Sequence, residues 1–245
     1  MRFFEMKTWL SLVLSFFVFA CDSSEEEEMS PEETTVETGA LATEIISKVD
    51  LAMPATLVIN QGEKQEVRFE GDAEIVSKIK REVKDGLWEI KLEPGKHEYK
   101  ELKIFLTIGR LEAVKLSAAA SVSVEDFTGE GVLAVGMTGV GNIDFGTLKG
   151  YDEIKTSVSS TGKVEFKKAG SAVRLLTADM SGVSKLYALN LVAEKCVVKV
   201  KGLGEVKLNV SETLDAEIGD LGKVYYKGTP AITKKVSGNG VLSAI

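Results

Sequence analysis

One seven-residue pattern recurs through the second half of this chain at a spacing of about twenty residues, and it leaves few folds open. Met137-Thr-Gly-Val-Gly-Asn-Ile143 is followed by Val158-Ser-Ser-Thr-Gly-Lys-Val164 and Met180-Ser-Gly-Val-Ser-Lys-Leu186. Val200-Lys-Gly-Leu-Gly-Glu-Val206, Ile218-Gly-Asp-Leu-Gly-Lys-Val224 and Val236-Ser-Gly-Asn-Gly-Val-Leu242 continue the series, and Leu116-Ser-Ala-Ala-Ala-Ser-Val122 reads as a first copy. Each copy is an apolar residue, a corner of small residues, and a second apolar residue six positions on. The closing apolar positions are 122, 143, 164, 186, 206, 224 and 242. A unit of about 20 residues is too small to enclose a core, so such units must stack and share one.

Apolar and polar residues alternate on both sides of each corner, as in Leu133, Val135 and Met137 before and Ile143 and Phe145 after. That period of two predicts half-buried strands. Glycine at a corner allows a backbone with positive φ and close approach of the next corner. An all-β parallel β-helix (a solenoid) accounts for both the steady period and the inward apolar rows. An antiparallel sandwich would also have short strands and turns, but does not require one corner to recur in register.

Residues 45–111 are less regular. Strands are expected at Ser47–Leu51, Thr56–Asn60, Gln65–Glu70, Ile79–Lys84, Leu87–Leu92 and Leu102–Ile108. Asp72 is placed to cap one helical turn reaching Lys78. Asp85-Gly86 between two strands is a hairpin signal, and Gly95 to Lys100 reads as a polar loop. This part is expected to be the N-terminal β cap of a domain spanning 45–245, with the repeats in 112–245.

The start of the chain reads as an address. Arg2 and Lys7 precede an apolar run, Trp9 to Phe19, too short to span a bilayer as a helix. Val18-Phe19-Ala20-Cys21 resembles the lipobox of bacterial lipoproteins. The resemblance implies a signal peptide at 1–20, cleavage before Cys21, a diacylglyceryl thioether on Cys21 and N-acylation. The alternative is an ordinary signal peptide with a chance cysteine. Residues 22–44 carry nine acidic residues and no basic one, so 21–44 is expected to stay extended as an acidic, disordered tether. In some Gram-negative groups, acidic residues behind the lipidated cysteine resemble a signal for display on the outer face of the outer membrane. From Ile45 to Ile245 there are 28 Lys and Arg against 27 Asp and Glu. No basic footprint for nucleic acid remains.

Residues 45–245 resemble the family described as putative auto-transporter adhesin, head GIN domain. The corners quoted above carry the likeness, with Val67-Arg-Phe-Glu-Gly-Asp72, the segment Ile79 to Leu92, and Val224-Tyr-Tyr-Lys-Gly-Thr-Pro230. The resemblance implies a right-handed parallel β-helix and no established catalytic residues. Ala118, Ala120 and Ser184 stand where the pattern has glycine.

Few residues offer chemistry. His97, the one histidine, has no Cys/His partners for zinc or a triad. Cys196 sits among alternating apolar residues and reads as core. The corner residues Asp179, Asp220, Asn142 and Glu205 are the candidates for acid–base work on a sugar, since solenoids host such enzymes; wet, outward corners are the simpler account. Trp88, Tyr99, Tyr151, Tyr187, Tyr225 and Tyr226 are the candidate stacking residues. Tyr225 and Tyr226 are neighbours on a strand, so one faces in and one out.

The expected function is therefore a lipid-anchored, non-catalytic adhesion module at the cell surface, with a glycan or a protein as ligand. No metal or cofactor is expected, and Cys21 is the one assigned site. A periplasmic structural or envelope-stress protein is the alternative, and a carbohydrate-active enzyme comes third. The binding residues and the oligomeric state stay open.

Overall fold

The structure, a computed structural model, describes the backbone of residues 35–39 and all of residues 44–245. The expected signal peptide at 1–20, Cys21 and most of the expected tether at 21–44 lie outside the described residues. The chain divides into Met1–Glu32, none of it described, and Glu33–Ile245. Every buried core residue described falls between Ile46 and Val224.

The strands in chain order begin with β1 (Thr35–Gly39), β2 (Lys48–Leu51), β3 (Thr56–Gln61) and β4 (Glu66–Gly71). Helix α1 (Ala73–Ser77) follows, then β5 (Val83–Lys84), β6 (Leu87–Ile90) and β7 (Leu102–Ile108). The repeats supply β8 (Ala113–Leu116), β9 (Ala119–Val124), β10 (Phe127–Met137), β11 (Val140–Phe145), β12 (Leu148–Val158) and β13 (Thr161–Phe166). They continue as β14 (Ser171–Met180), β15 (Val183–Val200), β16 (Glu205–Ile218), β17 (Lys223–Lys227), β18 (Ala231–Val236) and β19 (Val241–Ala244).

These strands wind into a parallel β-solenoid of about six turns. One ladder runs β6, β2, β8, β10, β12, β14, β15, β16, β18, each strand parallel to the next. A second runs β7, β3, β9, β11, β13, β15, β16, β17, β19. A third side forms where β10 pairs with β12 at Phe127↔Leu148, and where β14 pairs with β15 at Ser171↔Leu191. Between the first and second ladders lies the repeated corner.

Register follows the sequence pattern. Val122, Ile143, Val164, Leu186, Val206, Val224 and Leu242 are successive partners. Before the corner, Leu51, Leu116, Met137, Val158, Met180, Val200 and Ile218 stack as a buried inward row. Because side chains alternate faces, one slip would turn every such row out to water. Phe145 and Phe166 stack within the core at 5.1 Å between centroids. Ala120 and Ser184 hold the same register as the glycines they replace, pairing with Gly141 and Gly162. The Ser184 hydroxyl is buried there without a hydrogen-bond partner.

One copy of the repeat escapes the sequence pattern. Leu51-Ala-Met-Pro-Ala-Thr-Leu57 turns the same corner, with Leu51 beside Leu116 and Leu57 beside Val122. Pro54 and the buried Met53 replace the small residues that mark the other copies, although the six-residue step between leucines is kept.

The chain then leaves the stack, builds its end, and returns. Residues 62–101 lead out so that β6 and β7 lie beyond β2 and β3, and the next copy, β8 and β9, packs on the other side. On the free edge of β7, β4 pairs antiparallel, and β1 pairs antiparallel with β4. Thr35–Gly39 therefore adds an edge strand where an extended tether is expected, since backbone pairing needs no apolar side chains. Reversed strands at this end remove the flat parallel edge that another chain could join.

Asp72 caps α1 by accepting the Glu74 amide at 2.7 Å, and Ile75 and Val76 turn inward. Asp85 and Gly86, both at positive φ, make the tight turn between β5 and β6. Ile79–Lys84 is only partly strand: Ile79 makes one bridge to Leu92, and Val83–Lys84 forms β5. Between them the Lys80 carbonyl accepts the Trp88 indole N–H at 2.9 Å, so a side chain takes the place of a ladder partner.

Candidate functional site

The corner carboxylates do not converge. Asp179 points outward from β14 and lies beside Lys199 of β15. Asp220 lies in the corner two rungs further on, in the left-handed region (φ 53), where its carboxylate accepts the Gly202 amide at 2.9 Å. It holds two stacked corners together. Asn142 and Glu205 share an outward row of the second ladder, with Lys163 and Lys185 between them. Burial pushes the Glu205 carboxyl up, but hydrogen bonds from Lys207 and Tyr187 and the charges of Lys207 and Lys185 outweigh it and hold the group below its ordinary value. A general acid requires the opposite shift.

Among the described residues no group of three His, Cys, Asp or Glu side chains could hold a metal. In the 91–101 loop, the Nε2 atom of His97 lies 2.8 Å from the Glu93 carbonyl. This loop and the Pro54 corner border a shallow concavity of about 600 Å³, lined in part by His97, Tyr99, Lys100 and Lys103. No described helix is long and apolar enough to cross a membrane.

Cys196 lies in an inward row between Leu176 and Leu214, and burial pushes its thiol from 9.0 up to about 12. Between those values the unfolded chain loses the thiol proton while the folded chain keeps it. Stability then falls with rising pH by about 1.4 kcal/mol per pH unit and is untouched by this group below the lower value. Urea unfolding at a series of alkaline pH values checks this. The slope should be shallower in Cys196→Ala; equal slopes would show the thiol titrating alike in both states.

The aromatic residues divide by face. Trp88 is buried in the cap. Tyr99 leans on the core and donates to the Pro54 carbonyl at 2.7 Å. Tyr151 is buried and donates to the Leu111 carbonyl at 2.8 Å. Burial raises its phenol above the ordinary value. Tyr151→Phe should cost about 1 kcal/mol of stability, measured by urea unfolding, and leave any surface binding unchanged. Tyr226 turns toward the core and Tyr225 turns out.

Tyr187 and Tyr225 therefore remain as the outward tyrosines of the second ladder, one rung on either side of Lys207. The Lys207 ammonium lies 4.7 Å from the Tyr187 ring centroid and 3.2 Å from the Glu205 carboxylate. Burial and the Glu205 hydrogen bond raise the Tyr187 phenol. The cation over the ring adds a weak attraction at such an exposed site. This Tyr–Lys–Tyr row on a stiff parallel ladder is the candidate recognition surface. The sequence names both tyrosines but gives no reason to join them, because they become neighbours only through the stacking of rungs.

The family model for "putative auto-transporter adhesin, head GIN domain" matches residues 47–230. A solved structure of a putative adhesin from Bacteroides fragilis superposes with a TM-score of 0.77 at 24% identity, over 87% of this chain and 98% of that one. A putative adhesin from Parabacteroides distasonis gives 0.67 at 17% identity, over 88% and 98%. From the same species, a putative lipid binding protein gives 0.62 at 17% identity, over 86% and 96%. At these identities the likenesses establish a shared fold. Among curated proteins, none matches the chain.

Proposed function

The chain belongs to the putative auto-transporter adhesin, head GIN domain family, and on that premise we propose that it is a non-catalytic binding module of the bacterial envelope, held by a lipid on Cys21 and presented at the cell surface. The observation that carries the reading is the outward face of the second ladder, where Tyr187, Lys207 and Tyr225 stand in register on a rigid stack. Tyrosine with flanking charge suits a surface that stacks on a sugar ring or packs against a protein while holding polar groups in place. The Val18–Cys21 motif supports the lipid anchor, and the acidic run behind Cys21 supports transfer to the outer face.

Protease shaving of intact cells tests the placement. Loss of the domain while a periplasmic control survives is the expected result, and Cys21→Ala should release the protein from the membrane fraction. Survival until lysis would put the domain in the periplasm and favour a structural role there. A screen of glycans and matrix proteins tests the binding. A ligand should be retained by the natural chain and lost when Tyr187 and Tyr225 are both replaced by alanine. Turnover of a polysaccharide, abolished by Asp179→Asn, would overturn the non-catalytic reading.

A further inference from the structure

The middle residue of each corner stands outward, at or just before the start of its second-ladder strand, and forms the outer crest of the solenoid. Those residues are Ala119, Val140, Thr161, Val183, Leu203, Leu221 and Asn239, one above another by continuation of the strand register. Val140 is 55% exposed, Val183 47%, Leu203 55% and Leu221 49%. At about 4.8 Å per rung, Val140 to Leu221 is a crest about 19 Å long and one side chain wide. Single exposed apolar residues need no explanation, but Val183, Leu203 and Leu221 stand on three consecutive rungs, with only Thr161 between them and Val140, and such a file does.

Lysines flank this crest. Two positions after it run Asn142, Lys163, Lys185, Glu205 and Lys223, and two positions before it stands Lys201. The nearby carboxylates are occupied: Glu205 pairs with Lys207 and Asp220 accepts the Gly202 amide. The corner backbone is also occupied, since the amides of Val140, Leu203 and Leu221 donate to the carbonyls of Ala118, Gly182 and Gly202 in the rung before. Lys163 is paired with Glu165, so the crest offers aliphatic side chains, broken once by Thr161, and positive charge from Lys185, Lys201 and Lys223, with few free directional hydrogen bonds. A protein partner would need a matching cleft, whereas a lipid headgroup layer yields to a narrow convex ridge and attracts its lysines.

We propose that the corner crest Val140–Val183–Leu203–Leu221 is a membrane-docking ridge that inserts among the headgroups of an anionic phospholipid surface. The ridge runs along the solenoid axis, so docking lays the solenoid flat on the membrane. The interaction is independent of Cys21 and of any surface ligand.

The test uses residues 33–245, which hold the whole described core and match the solved structures in extent, so that neither signal peptide nor lipid contributes. The probe is co-sedimentation with vesicles of phosphatidylcholine, with and without phosphatidylglycerol. Binding is expected with phosphatidylglycerol and should weaken with salt and without the anionic lipid. Leu203→Ser with Leu221→Ser should lower the affinity by about tenfold or more, the loss of burial of two aliphatic side chains. Val192→Ser, exposed elsewhere, should change nothing. Lys185→Glu with Lys223→Glu leaves the crest intact and should abolish the preference for phosphatidylglycerol, which covers the case of a double serine variant that does not fold. Absence of vesicle binding, or binding that survives both double variants, overturns the proposal. A dimer that the serine variant abolishes, with no vesicle binding, would instead make the ridge an interface between copies. None of these outcomes depends on cell-surface placement or on the glycan and protein screen.

Discussion

Gly141→Val is expected to destabilise the domain by about 3–5 kcal/mol, combining backbone strain with overpacking at a site that cannot relax. Gly141 has φ +149, and a Cβ there would lie 1.8 Å from the Ala120 carbonyl oxygen and 3.3 Å from Leu116 Cδ2. Ala120 belongs to the neighbouring corner and is itself held in the ladder opposite Gly141. Moving it would pull apart two rungs. In a stack where each repeat contacts only its neighbours, a weakened interface divides the array, so the transition should also broaden or split. Gly131→Ala is the contrast. Its φ is +66, yet nothing lies within 4 Å of the added carbon, so the cost should be only the local strain of about 1–2 kcal/mol. Urea unfolding of the two variants decides the matter. Equal losses would mean that the corner does not stack as closely as this register requires.

Trp88→Ala should remove about 3–5 kcal/mol, the range for truncating a large core aromatic. Trp88 is fully buried at the end of the solenoid, edge-on to Phe69 with centroids 6.5 Å apart, and its indole donates to the Lys80 carbonyl. It is stacked against Val49, which leads on to Val114 in the next rung of the inward row. The substitution opens a cavity and frees the segment between α1 and β5. Limited proteolysis should then cut first within residues 62–101, with the later repeats still protected. Uniform cleavage along the chain would show that the cap is not a separate element of stability. Trp88→Phe should recover part of the loss, because the ring returns and the N–H does not.

Much of this architecture is legible in the sequence. The corner series gives the register of the second ladder residue by residue, because an inward row tolerates only small or apolar side chains and each position recurs once per rung. The Asp72 cap and the Asp85-Gly86 turn are equally local, each set by a side-chain acceptor or a positive φ. The copy at Leu51–Leu57 is less visible, since Pro54 and Met53 fit the corner by packing rather than by backbone freedom. That β6 and β7 lie outside β2 and β3 cannot be read from local pattern, because adjacency there depends on a long excursion and return.

The surfaces show the same division. Alternation from the inward Val224 turns Tyr226 in and Tyr225 out, and the stacked core holds both that way. The sequence by itself determined an all-β chain and the period of its rungs, because each depends on residues close together along the chain. Tertiary structure decided that Tyr187, Lys207 and Tyr225 form one row, and that Val140, Thr161, Val183, Leu203 and Leu221 form another. Residues some twenty positions apart become neighbours only when the rungs stack, and no local propensity encodes that contact.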